Sequence, residues 1–177
     1  RCIENTNPYG SSTSDPGGDF TYTLDGEGVD VVIQDSGLQV DHPEFNDEDG
    51  NSRVQQINWY TESGLSGTQS SNHYRDTDGH GTHVAGTVGS STYGVAKSVS
   101  LVSVRVLDCS GGGSNATVIA GLDWIVSDHV AGVKAVANMS LGGGFSSALN
   151  SAVDRVINDG IVMAVAAGNE SGNRCRG

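Results

Sequence analysis

His80 stands between two glycines in Asp78-Gly79-His80-Gly81-Thr82-His83-Val84-Ala85-Gly86-Thr87-Val88, ahead of a run of small residues. An imidazole with little bulk around it at a helix entrance suits a general base. Its ordinary pKa lies near neutral pH, and the glycines let other backbone approach. Such a base needs a carboxylate to hold its tautomer and stabilise the imidazolium. Asp35, at the end of Val32-Ile33-Gln34-Asp35-Ser36-Gly37, is a candidate for that task. Asn169, in Ala166-Ala167-Gly168-Asn169-Glu170, offers an amide donor beyond an apolar strand, where it can stabilise a developing oxyanion. Singly, each has a blander reading: Asp-Ser-Gly makes turns, a lone histidine is more often structural, and asparagine often sits in a turn. Together they describe a set that activates a nucleophile and stabilises the charge its attack creates.

These residues need a scaffold, and the apolar patterning describes one. A β-branched run from Val29 to Ile33 ends at Asp35-Ser36-Gly37 and reads as a strand closed by a turn. Residues 99–107 read as a strand, 117–130 have helical spacing, and 133–138 form a second buried-strand run. Residues 146–158 place Ala148, Leu149, Ala152, Val153, Val156 and Ile157 on one helical face, with serine at the start and Gly160 just past the end. Residues 161–167 supply another strand. Strands that alternate with helices predict an α/β fold, a mostly parallel sheet with helices on both faces. In such sheets the reactive groups gather at the carboxyl ends of the strands. Asp35, residues 138–144 and Gly168-Asn169 all follow strands. Residues 1–25, rich in Gly, Ser, Thr, Asn, Asp and Pro, read as an irregular arm, and residues 46–79 as polar loop.

Composition narrows the functional classes. A length of 177 residues fits one domain. Nine basic residues against 21 acidic ones give a net charge of −12, which opposes binding to a nucleic-acid backbone. The longest apolar stretch, residues 161–167, is too short to cross a bilayer, so no membrane span is expected. The chain begins at Arg1 with no apolar leader, and processing is expected. Cys2, Cys109 and Cys175 form no CxxC pair, and their odd number leaves at least one without a partner in the chain. Outside the reducing cell interior that cysteine either bonds another polypeptide or stays a free thiol. A metal hydrolase built on His80, His83 and Asp35 is disfavoured because no HExxH pattern occurs.

The segments around Asp35, His80 and Asn169, with Tyr93-Gly94-Val95-Ala96, Val104-Arg105-Val106-Leu107-Asp108 and Met139-Ser140-Leu141-Gly142-Gly143-Gly144 in this order, resemble the subtilisin-like serine proteases. Gly94-Val95-Ala96-Lys97 and Ser140-Leu141-Gly142-Gly143-Gly144 are most similar to the proteinase K branch. The resemblance covers roughly residues 26–172. It implies hydrolysis of protein or peptide bonds by a Ser-His-Asp triad, with Asp35 orienting His80, His80 activating a serine, and Asn169 donating to the oxyanion. It also implies a cleft with Ser140, Leu141, Gly142 and Gly143 on one wall and Gly111, Gly112 and Gly113 on the other, holding the substrate by strand addition. No cofactor is implied for catalysis, structural calcium is, and the location is extracellular.

The sequence also departs from the family pattern. The family's nucleophile lies in a Gly-Thr-Ser-Met-Ala-type segment after the oxyanion asparagine, and none occurs here; Ser140 and Ser171 do not match it. Residues 26–177 are therefore expected to be a catalytic domain without its nucleophile-bearing C-terminal third. That third would come from a missing segment or a second chain, made separately or by a nick near residues 174–177. A sheet ending there exposes an apolar edge and face. The alternative is an inactive scaffold or binding module that keeps the cleft. In disulfide-bearing relatives the partner of Cys109 precedes the histidine motif, where Thr77 stands here; Cys2 is then its candidate partner, and Cys175 would pair with the missing part. Ser114-Asn115-Ala116 replaces an aromatic lid common in relatives, which implies a more open distal pocket.

Overall fold

The computed structural model describes residues 22–67 and 69–169. Almost all of the expected amino-terminal arm lies outside these residues. Five parallel strands form one sheet: β1 (Val29–Asp35), β2 (Val54–Gln55), β3 (Ser100–Arg105), β4 (Lys134–Met139) and β5 (Val162–Val165), in the order β2-β3-β1-β4-β5. β1 is central because its β-branched residues are apolar on both faces. Val32 packs with Val102, Val104, Leu122 and Ile125 on one side, and Val31 and Ile33 pack with Leu38, Ala85 and Leu101 on the other. Helices α3 (Asn115–Asp128) and α4 (Ser147–Asn158) cover the first face and α2 (His80–Gly89) the second. The predicted α/β class and covering on both faces hold.

The helix limits follow their capping residues. The Ser114 hydroxyl accepts from the Thr117 N–H at 3.1 Å and opens α3, and Ser146 does the same for Leu149 at 3.3 Å and opens α4. Gly160 follows α4 with φ +97°, the left-handed geometry that ends a helix most cheaply at glycine.

The expectation of loop throughout 46–79 needs correction. This stretch contains β2 and a single-turn helix, α1 (Trp59–Glu62). Neither is long enough to stand alone, since a first helical turn is costly to nucleate. Both are held from outside: β2 pairs with β3, and the fully buried Trp59 donates through Nε1 to the Arg105 carbonyl at 3.0 Å. Arg53, just before β2, donates to the carbonyls of Asn46, Val99, Glu44 and Gly89, binding this loop to the end of α2 and the start of β3. Desolvation pushes its pKa below the usual arginine value.

β5 is also shorter than the apolar run 161–167. It lies at the sheet edge, with Val162 64% and Val165 55% exposed. Among the described residues no helix is long and apolar enough to cross a membrane.

Candidate active site

Parallel pairing brings the carboxyl ends of β1, β4 and β5 to one end of the sheet. Ile33 is level with Asn138, Asn138 with Ala164, and Met139 with Val165. Asp35 closes β1, Ser140 leaves β4, and Asn169 lies four residues past β5.

Asp35 is completely buried, and its carboxylate meets His80, the first residue of α2. His80 Nδ1 lies 2.8 Å from Asp35 Oδ1 and 2.9 Å from Oδ2. Oδ1 also accepts from the Ser36 N–H at 2.7 Å, so the carboxylate is anchored at its own turn. A buried carboxylate accepts the Nδ1 proton, which leaves Nε2 as the nitrogen free to take one. The His80 side chain is 48% exposed, so its ring is open to solvent. Its pKa is raised, chiefly by the hydrogen bond that Nδ1 donates to the Asp35 carboxylate. Burial opposes the shift, and the charges of Asp35, Asp78 and Asp76 reinforce it.

The two glycines beside His80 serve different ends. Gly79 caps α2 with φ +107°, a left-handed conformation that costs a side-chain-bearing residue energy. Gly81 is buried against the β1 turn; a Cβ there would strike the Gly37 carbonyl and lie 3.2 Å from Asp35 Cβ. The short helix-to-strand approach that closes the Asp35–His80 bond therefore depends on Gly81.

Residues 108–113 form a turn after β3 around Asp108. Its Oδ1 accepts from the Ser110 hydroxyl and from the N–H groups of Ser110 and Gly112. The Ser110 hydroxyl contributes most to holding the Asp108 pKa below the usual carboxylate value. Gly111 lies beside the Asp78 carboxylate, two residues from His80, while Gly112 lies beside Asp108 and Gly113 against Leu107. Just past β4, Ser140 accepts from Asn138 Nδ2 at 2.9 Å, while Gly142 and Gly143 are exposed with open space where a Cβ would stand. Of the candidate residues, Asp35 and His80 are in direct contact, Gly111 lies beside Asp78, and Ser140 and Asn169 share the strand-end side of the sheet. Cys109 is an exposed free thiol; Cys2 and Cys175 lie outside the described residues.

Among the described residues no three His, Cys, Asp or Glu side chains converge on a point that could hold a metal. In the acidic loop, Asp47 is occupied by the N–H groups of Asp49 and Asn51 and by the Asn51 amide.

Asp76 and Ser36 are the site residues that motif reasoning missed. The Asp76 carboxylate accepts from the Ser36 hydroxyl and from the first turn of α2, and its pKa is lowered to about 2. Burial pushes it up, but the Thr82 hydroxyl and the N–H groups of Gly79, Asp78 and Thr82 outweigh burial. The available signal was local: an aspartate three residues before a glycine that opens a helix is an Asx-type cap pattern.

The Subtilase family profile matches residues 26–176. The chain is 48% identical over 158 residues to an extracellular serine proteinase of Thermus sp. (strain Rt41A), covering 89% of this chain and 35% of that protein. It is 45% identical over 156 residues to alkaline serine exoprotease A of Vibrio alginolyticus, covering 88% and 27%. Among solved structures it is similar to a cold adapted subtilisin-like serine proteinase, with TM-score 0.77, 40% identity, and coverage of 90% of this chain and 54% of that one. Sphericase superposes with TM-score 0.73 at 30% identity, covering 89% and 51%. The chain spans between about a quarter and about a third of the length of these curated relatives. With the fold, the Asp35–His80 contact and the profile in agreement, the chain belongs to the subtilase family.

Proposed function

We propose that this chain is the Asp-His half of a secreted serine endopeptidase whose nucleophilic serine comes from a further C-terminal segment or a second chain. The observation that carries the proposal is the buried Asp35 carboxylate bound to Nδ1 of a half-exposed His80 at the strand ends. In this reading His80 Nε2 takes the serine proton as the hydroxyl attacks the substrate carbonyl, and Asp35 stabilises the imidazolium. The Asn169 amide donates to the oxyanion, and His80 then returns the proton to the leaving amine. The substrate lies extended between Gly111-Gly112-Gly113 and Ser140-Leu141-Gly142-Gly143, whose missing side chains let backbone meet backbone. The incoming segment also covers Val162 and Val165 at the β5 edge. An extracellular setting is supported by the printed names of relatives. Structural calcium belongs to the proposal only as an ion held mainly by carbonyl oxygens, and a Tm that falls in EGTA would support it.

The test is a fluorophosphonate probe on the native preparation, followed by mass spectrometry under denaturing conditions and a peptide-hydrolysis assay. The proposal expects a labelled serine outside the 177 residues, with hydrolysis abolished by the same probe. An intact preparation that takes no label and cleaves no peptide would replace it with a non-catalytic scaffold that retains the cleft.

A further inference from the structure

Side chains satisfy the opening turn of α2: the His80 N–H donates to Asp78 Oδ2 at 3.3 Å, and the remaining donors meet the Asp76 carboxylate and the Ser36 hydroxyl. The first N–H groups of a helix have no partner within it, and the cap residue here is Gly79, which has no side chain to offer. Asp76 Oδ1 accepts from the Gly79 N–H at 2.8 Å and the Asp78 N–H at 3.0 Å. Its Oδ2 accepts from the Thr82 N–H at 2.9 Å and the Thr82 hydroxyl at 2.5 Å. The Gly81 N–H donates to Ser36 Oγ at 2.9 Å, and that hydroxyl donates to Asp76 Oδ1 at 2.8 Å.

Ser36 directly follows Asp35, and Gly81 directly follows His80. The bond from the Gly81 N–H to the Ser36 hydroxyl thus ties the two segments that carry Asp35 and His80, one position beyond each. Asp76 fixes the direction of the Ser36 hydroxyl, because a carboxylate can only accept. The lone pair left on Ser36 then meets the Gly81 N–H. Thr82 extends the same brace, since its hydroxyl accepts from the Gln39 N–H at 3.0 Å, further along the β1 turn.

We infer that Asp76, acting through Ser36, is a positioning residue for the Asp35–His80 pair, holding the entrance of α2 at the distance and rotation where His80 Nδ1 meets the Asp35 carboxylate. An asparagine at 76 would not replace it. Its amide has one accepting oxygen and a donating nitrogen, so either the Ser36, Asp78 and Gly79 donors or the two Thr82 donors would face N–H groups. The general base depends on placement at the scale of tenths of an ångström, and a shift of about 1 Å costs on the order of a hundredfold in rate.

The kinetic part of the test rests on the endopeptidase reading; the spectroscopic part does not. Ser36→Ala, Asp76→Asn and the double variant are made in the full assembled protein, and folding is checked by circular dichroism and thermal melting. The low-field Nδ1–H resonance of 15N-labelled His80 reports its bond to Asp35. In folded Ser36→Ala this resonance is expected to broaden or move upfield. On a peptide substrate kcat is expected to fall roughly tenfold, with KM within about twofold. The double variant should lose little more than the worse single variant, because both act on one path. An unchanged His80 resonance and kcat in folded Ser36→Ala, or fully additive losses, would overturn the inference. If Asp76→Asn does not fold, Ser36→Ala decides alone. If no preparation hydrolyses peptide but the His80 resonance responds, the positioning role stands and the endopeptidase reading falls.

Discussion

Asp35 and His80 lie 45 residues apart in the chain, yet His80 Nδ1 sits 2.8 Å from one Asp35 carboxylate oxygen and 2.9 Å from the other. The carboxylate has no exposed surface, while the imidazole side chain is 48% exposed. A buried acceptor thus grips one ring nitrogen of a half-exposed imidazole.

Asp35→Asn is expected to reduce kcat by about four orders of magnitude, the scale of losing the orienting carboxylate in Ser-His-Asp enzymes. The base works only when neutral, and Asp35 raises the His80 pKa above its ordinary value. In the parent, kcat/KM should therefore climb with pH through an inflection above about 6.5. In Asp35→Asn that inflection should move to lower pH. Matching acid limbs in the two pH profiles would show that the contact does not set the base's titration.

Gly81→Ala tests the close approach of α2 to the β1 turn. The new methyl meets the Gly37 carbonyl, which is backbone and yields little. A loss of roughly 1–3 kcal/mol of stability is expected, the usual range for overpacking a tight contact. Activity should fall further than the melting curve explains, because the displaced element carries His80. A variant with parental Tm and parental kcat would contradict the packing argument.

His129 links the end of α3 to two other segments. Its Nδ1 lies 2.6 Å from Asp159 Oδ2, after α4, and its Nε2 lies 3.0 Å from the Val133 carbonyl, before β4. Both partners accept, so the ring satisfies both only as imidazolium. Its pKa is raised, first by the Val133 carbonyl and then by Asp159, with the charge of Asp30 adding to the effect. This stabilisation is fully present below the unfolded-state value near 6.5 and is lost as pH rises through the higher folded value. The Tm difference between parent and His129→Ala should therefore be larger at about pH 6 than at about pH 9. A difference that does not change with pH would rule out the imidazolium clamp.

Among the described residues, Arg53 cross-links several segments outside the site. Arg53→Ala strips donors from the carbonyls of Glu44, Val99 and Gly89 at once. A destabilisation of about 2–4 kcal/mol is expected from losing several charge-assisted bonds to partly buried acceptors. Chemical denaturation should show it as a lower midpoint with an unchanged slope. A loss below about 0.5 kcal/mol would place Arg53 among ordinary surface residues.

Much of this architecture was legible before any coordinates. The β-branched run of β1, the serine-to-glycine frame of α4 and the alternation of strands and helices are local patterns, repeated over enough residues to outweigh competing propensities. Asp35 and His80 were legible for a related reason: glycines beside a reactive side chain mark backbone that must come close to something.

The tertiary structure decided the rest. β2 and α1 are too short to nucleate alone and exist because β3 and the Arg105 carbonyl receive them. The bridge from Asp76 through Ser36 to Gly81 spans 40 and 45 residues of sequence, and a hydrogen bond across that separation leaves no periodicity to detect. Residue type determined which groups carry charge and donors. Only the parallel sheet, by bringing its strand ends to one side, determined which of those groups meet.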